Sequence, residues 1–221
     1  MPISITFDEI NHIARDMHGK FVPSVSQVMS CQNLSFPFDK FVEEDLLNRR
    51  SRIGTEVHRL ADLHNQFGDL DLGWLTLDTH GFVESWIGLK RISGIKPYQW
   101  STRRCELING NPVTGETDVE CLLNGHEAII DLKTGSSKSD SWGCQLAAYE
   151  CLKYRSPKIG RVIRAVAHLN SDGSPGKLVE FGECSPIDGT HYGDLFLAAL
   201  HCTSYALRRG YLSEADFIDP R

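Results

Sequence analysis

The sequence predicts an α/β fold: a central mixed β-sheet flanked by helices, with a β-hairpin at the N-terminus. Three observations predict it. Apolar residues recur at helical spacing after residue 39, three short strand patterns follow Pro97, and helix and strand patterns then alternate towards the end of the chain.

Taken in order, "ISITFDEINHIARDMHGKFVPS" holds short apolar and β-branched runs split by the turn-like "DMHGK", which reads as a small hairpin covering a sheet edge. Ser24 follows a proline and precedes an apolar run, so it suits the N-cap of a short helix. From about Asp39 strand character is lost, and Ile53, Val57, Leu60, Ala61, His64 and Phe67 form the buried stripe of a long helix. A second helix is expected over "GWLTLDTHGFVESWIGLKRIS", packing through Leu75, Phe82, Trp86 and Leu89, with Gly81 weighing against it; Pro97 closes this half. Strands are expected in "STRRCELI", "ETDVECLL" and "EAIIDLKT", joined by the turn-rich "NGNPVTG" and "NGH" as a meander. A helix over about Ser139 to Arg155, strands in "RVIRAVAHLN" and "GKLVEFGEC", and a helix from about Tyr192 to Arg209 complete the pattern.

At 221 residues and 41% hydrophobic content the chain can build one sizeable core, so one domain is expected. It divides into 1–38 (hairpin and short helix), 39–96 (helical), 97–185 (sheet and helix) and 186–221 (C-terminal helix). "MPISITFDEI" lacks the basic start and apolar stretch of a signal peptide, and no run approaches the ~18 apolar residues of a membrane span. A soluble, cytoplasmic protein with no membrane partner is the expectation. The seven cysteines contain no CxxC pair and read as reduced structural thiols. The net charge of -6 argues against broad adhesion to nucleic acid, although metal-binding carboxylates would themselves make the chain acidic.

The chemistry concentrates around "IIDLKTG", residues 129–135. Side chains alternate along a strand, so Asp131 and Lys133 share a face while Leu132 points to the other. A tight turn before them would bring Asp118 alongside Asp131. Two aspartates plus a backbone carbonyl make a minimal site for Mg²⁺, and Lys133 could orient water or offset phosphate charge. The alternative is that Asp118 and Asp131 merely pair with neighbouring cations. On the following helix Gln145 and Tyr149 stand four apart and share a face, which could equally be surface and amphipathic core. In "IGTEVHRL", Gly54 lies one turn from His58, leaving room for a ligand beside an imidazole that could hold a metal or could be structural.

Taken in order, "IGTEVH", "GETD", "IIDLKTG" and "QLAAY" resemble the motifs of the PD-(D/E)xK nuclease superfamily, in its RecB-like exonuclease branch. The N-terminal "FDEINHIARDMHGKFVPSVSQVM" is similar to the opening of phage-encoded members and of the mitochondrial genome maintenance exonuclease. The resemblance covers most of residues 5–155 and implies a restriction-endonuclease-like core. It implies that His58, Asp118, Asp131 and the Leu132 carbonyl hold the metal, that Lys133 is the catalytic lysine, and that Gln145 and Tyr149 position substrate. Many relatives carry a glutamate on the preceding strand, which makes Glu106 a further candidate. Some relatives hold an iron–sulphur cluster through one early and three late cysteines; Cys184 and Cys202 do not supply that group, so no cluster is expected.

The resemblance thus implies a Mg²⁺- or Mn²⁺-dependent exonuclease acting on single- or double-stranded DNA in phage or bacterial recombination, repair or replication. It leaves room for a recombination or single-strand-binding partner and for a homo-oligomer. Backbone contacts could come from Arg49, Arg50, Arg52, Arg103, Arg104 or Lys138. Two alternatives stand beside it: a nucleic-acid- or protein-binding module without essential cleavage, and an endonuclease of the same superfamily.

Overall fold

Two Asn-Gly pairs organise the main sheet. Asn109 and Gly110, and again Asn124 and Gly125, all adopt positive φ (50°, 76°, 52° and 87°), the backbone of two-residue hairpin turns whose twist matches that of the flanking strands. They join β4 (Ile95–Ile108), β5 (Asn111–Leu123) and β6 (His126–Lys133) as an antiparallel meander. After α4 (Ser141–Tyr154) the chain returns as β7 (Ile163–His168), parallel to β6, and β8 (Lys177–Phe181) pairs antiparallel with β7. The order β4-β5-β6-β7-β8 places β6 in the middle of a mixed five-stranded sheet. The computed structural model describes residues 4–8, 13–34, 43–68, 71–135 and 139–217.

Helices cover both faces, as the α/β expectation requires. On one face, α2 (Glu44–Phe67) and α3 (Leu77–Ser93) pack Val57, Ala61, Trp86 and Leu89 against Ala128, Ile130 and Leu132 of β6. On the other, α1 (Val25–Cys31), α4 and α5 (Tyr192–Arg209) enclose Ile129 and Val166. The alternation of the IIDLK segment between these two cores is the strand periodicity read from sequence. Along α4 every residue from Leu146 to Leu152 is buried, because the helix is sandwiched between the sheet and α5. All seven cysteines are free thiols, and burial pushes those of Cys105, Cys121, Cys144 and Cys151 up to about 12.

The N-terminal unit is a three-stranded antiparallel sheet, β1 (Ile5–Asp8), β2 (Ile13–Asp16) and β3 (Phe21–Val22), one strand more than the expected hairpin. It packs on β4 through Ala14, Val22 and Cys105. Ser24 caps α1 as anticipated: its hydroxyl accepts from Gln27 N at 3.2 Å, and Gln27 Oε1 accepts from Ser24 N at 2.8 Å, a reciprocal capping box.

Three boundaries differ from expectation. Helix α3 begins at Leu77 because residues 72–74 form a separate 3₁₀ turn. Strand β4 begins at Ile95 and contains Pro97, which an edge strand tolerates at the irregularity between Pro97 and Gln99. Strand β5 begins at Asn111, so "NPVTG" belongs to the hairpin arm rather than to its turn. The start of the long helix near Asp39 lies outside the described residues; α2 begins at Glu44. Among the described residues, no helix is long and apolar enough to cross a membrane.

Gly81, which counted against α3 on propensity, is there for packing: a Cβ at this position would lie 1.9 Å from the Ser171 carbonyl oxygen. Backbone cannot swing aside as a flexible side chain can, so Gly81→Ala should destabilise the protein by about 1–3 kcal/mol despite alanine's better helix propensity. Gly88→Ala, whose Cβ would meet Pro175 Cγ at 3.2 Å, should cost less. Urea denaturation of the two variants measures the difference.

Candidate active site

The site is built where two strands part. Pairing of β5 with β6 stops at Val119 and Ile130, whereas β6 stays paired with β7 as far as Lys133 and His168. Beyond the last pair the Asp118 carboxylate takes over the ladder's work, and its Oδ2 accepts from Leu132 N at 2.7 Å. Asp118 and Asp131 thus face each other across the opening, on the α4 side of the sheet. Lys133 projects the same way: its Nζ lies 2.7 Å from Asp131 Oδ2 and donates to Gln145 Oε1 at 3.1 Å. Gln145 Nε2 in turn donates to the Tyr149 hydroxyl at 2.9 Å, the two residues lying one turn apart on α4.

From the other face, α2 brings His58 to the mouth of the opening. Its Nδ1 is 3.1 Å from Asp118 Oδ1 and its Nε2 is 3.0 Å from the Leu132 carbonyl oxygen. Both partners are acceptors, so both ring nitrogens must carry hydrogen and the ring is an imidazolium. The electrostatics agree: burial opposes the charge, but the Asp118 carboxylate outweighs it and raises His58 to about 9. Asp118 is lowered, its burial being overcome by the same ion pair. Asp131 is raised, because burial and the Asp118 charge outweigh the pull of Lys133, and Lys133 is raised against its burial by Asp131. Two carboxylates face two cations, and the cluster closes on itself without outside charge.

The donor set suits a hard divalent cation: oxygens of Asp118, Asp131 and the Leu132 carbonyl, with an imidazole nitrogen of His58. Among the described residues no three His, Cys, Asp or Glu side chains stand ready around one cation position, since His58 and Lys133 hold the carboxylates instead. One atom is nevertheless poised for a cation. Asp131 Oδ2 is buried and, for all its closeness to Lys133 Nζ, lacks a hydrogen bond of good geometry. The residues therefore fit such an ion if it replaces the two internal cations.

The opening leads into a cleft of about 2100 Å³ between α2, α1 and the β4–β5 ribbon, with Ser101, Arg103, Glu116, Asp118, His58 and Tyr149 in its walls. Gly115 of "GETD" gives Tyr149 its place against the ribbon, because a Cβ there would lie 3.2 Å from Tyr149 Cε1 and 2.8 Å from Leu152 Cδ1. Gly54 is not demanded by packing: a Cβ would make only ordinary contact with Thr134 Oγ1 at 3.7 Å, so its bareness leaves space beside His58.

Glu106 lies elsewhere. The pairs Trp100–Val119 and Thr102–Thr117 set Ser101 opposite Asp118, five positions from Glu106, and the Glu106 carboxylate is buried against Arg155 Nε at 2.8 Å. On the β5 face that carries Asp118, the acid that shares the cleft with it is Glu116, two residues earlier. Its signal was the two-residue spacing within "GETD". Of the arginines, Arg104 is committed to the buried Glu120 and Arg49 to Asp78, Arg50 is exposed on α2, and Arg52 and Arg103 line the cleft; Lys138 lies outside the described residues.

No protein-family model matches the chain, and no curated protein matches it. Among solved structures, similarity is found to the protein of "Crystal structure of SSO0001", 17% identical over 83% of this chain and 84% of that one, with a TM-score of 0.35. At that distance the likeness carries no argument about this site.

The raised His58 sets a pH dependence. Its folded pKa of about 9 exceeds the ordinary 6.5, so the stability from the His58–Asp118 pair is fully present below about 6.5 and is lost as pH rises through about 9. The side chain is 36% exposed, so solvent screening moderates the size. In chelator, the gap in unfolding free energy between wild type and His58→Gln should shrink over that window. A gap that stays constant there would contradict the ion pair.

Proposed function

We propose that the chain is a divalent-metal-dependent deoxyribonuclease that hydrolyses phosphodiester bonds from DNA ends, serving recombination, repair or replication in a bacterial or phage-infected cell. The observation that carries this reading is the convergence of Asp118, Asp131 and Lys133 at one strand opening with His58, Gln145 and Tyr149 around it, Asp118, His58 and Tyr149 lying in the wall of an open cleft. Any structural purpose of this six-residue arrangement would be served by a simple ion pair at lower desolvation cost.

Asp118, Asp131 and the Leu132 carbonyl would hold the ion, with His58 as a ligand once it gives up a proton. The ion, when bound, makes water a better nucleophile at neutral pH and offsets charge building on the phosphate. The chain's own groups do the rest. Lys133, kept protonated by Asp131 and aimed by Gln145, donates to the attacking water or to a phosphate oxygen. Burial and the two aspartates push the Tyr149 hydroxyl well above its ordinary range, so it stays protonated. Because Gln145 donates to the Tyr149 oxygen, the phenolic hydrogen is aimed away from Gln145, where it can serve a phosphate oxygen. Water oxygen bonds to phosphorus and gives up a proton to solvent, the ester P–O bond breaks, and the departing oxygen takes a proton from solvent, so that one water is consumed.

Preference for ends follows the resemblance of the four motifs to exonucleases. Purified protein should shorten end-labelled linear DNA with Mg²⁺ or Mn²⁺, stop in EDTA and spare covalently closed circles. Asp131→Ala and Lys133→Ala should lose about a hundredfold or more in rate. Robust cleavage by either variant overturns the assignment, and cutting of closed circles would make the protein an endonuclease.

A further inference from the structure

Beside the acid cluster, on the same ribbon face, lies an arrangement that the proposed hydrolysis leaves without a role. Arg103 on β4 sits directly across from Glu116 on β5. Its Nε and Nη2 reach Glu116 Oε2 at 2.9 and 2.6 Å, and the guanidinium lies over the Phe7 ring, 3.6 Å from the centroid. Phe7 belongs to β1, so the N-terminal sheet supplies the surface on which the guanidinium lies flat. Both Arg103 and Glu116 line the cleft with Asp118.

The exposure of this pair separates it from its neighbours. Arg104 shares Glu120, whose side chain is 1% exposed, with Lys153, and Arg155 serves Glu106 at 5%, so surrendering either guanidinium takes charge compensation from a buried carboxylate. Glu116 is 39% exposed and Arg103 30%, so their pair is wet and can be traded for another anion at little cost. A guanidinium held planar by an aromatic ring presents a fork matched to phosphate oxygens. Glu116 precedes Asp118 by one side-chain repeat of the strand, about 6.6 Å.

We infer that Phe7, Arg103 and Glu116 form a phosphate subsite, in which Arg103 receives the phosphodiester next to the one that is cut and Glu116 is a positioning residue that holds the guanidinium until phosphate displaces it. The inference rests on the nuclease reading. Phe7 fixes the plane, Arg103 supplies the charge, and Glu116 competes with the incoming strand. Removing Arg103 therefore weakens binding, whereas neutralising Glu116 strengthens it. A purely structural pair would move neither affinity nor salt dependence in opposite directions.

The test uses the full chain in EDTA, so that nothing is cut, with a fluorescein-labelled oligonucleotide offered single-stranded and as a duplex, and anisotropy read across a salt series. Arg103→Gln should raise Kd about tenfold on the form that wild type binds. It should also flatten the slope of log Kd against log salt by about 0.7 on single strand or 0.9 on duplex. Arg103→Lys should restore the slope but not the full affinity, and Glu116→Gln should tighten binding. Unchanged affinity and slope in folded Arg103→Gln, or no tightening in Glu116→Gln, overturns the subsite; if wild type still cleaves DNA, the nuclease reading survives it. Wild type that neither binds nor cleaves removes both.

Discussion

Everything at the site depends on the parting of β5 from β6 after the Val119–Ile130 pair. A continued ladder would place Asp118 beside Asp131 with backbone bonds already spent, and two buried like charges would face each other with nothing between them. Instead the strand diverges, and the Asp118 carboxylate satisfies the Leu132 amide that the missing strand would have served. That substitution makes a gap wide enough for the His58 ring to enter from α2 and for Lys133 to reach Gln145 on α4. The flanking packing supports the divergence: Gly115 lets Tyr149 and Leu152 lie against β5, and the N-terminal sheet braces β4 from outside.

The cluster is also balanced without help from solvent. His58 as imidazolium and Lys133 as ammonium stand against the charge of the two aspartates, although burial and Asp118 still leave Asp131 raised. The folded protein therefore holds its acids in place before any cation arrives. A cation must then displace positive charge already present, which costs affinity but spares the apo protein a strained site.

Much of this was legible in the chain because two-residue turns fix register. With Asn124-Gly125 at the turn, Asp118 and Asp131 are equidistant from it, and their apposition follows from counting. The same count from Asn109-Gly110 sets Ser101 opposite Asp118 and excludes Glu106, but it holds only with "NPVTG" as strand and not as turn. The proline and glycine that suggested a loop sit on a stretch of β5 with no β6 partner, where a missing amide hydrogen and a missing side chain are both tolerated. Helix positions followed apolar spacing well, and Gly81 misled only because its reason lies in the Ser171 carbonyl, ninety residues away in sequence. Three-dimensional juxtapositions had no sequence signal of this kind: the Phe7 ring under Arg103, the partners of the buried Glu106 and Glu120, and the bridging role of His58 all need the fold first.

The central claim is that the two aspartates at the strand opening are a cation site. Calorimetric titration of Mn²⁺ into the apo protein addresses it without recourse to activity. The account predicts saturable binding by wild type that is abolished in Asp118→Asn and Asp131→Asn while both variants remain folded. Absence of binding by wild type, or binding unchanged in either variant, would contradict it.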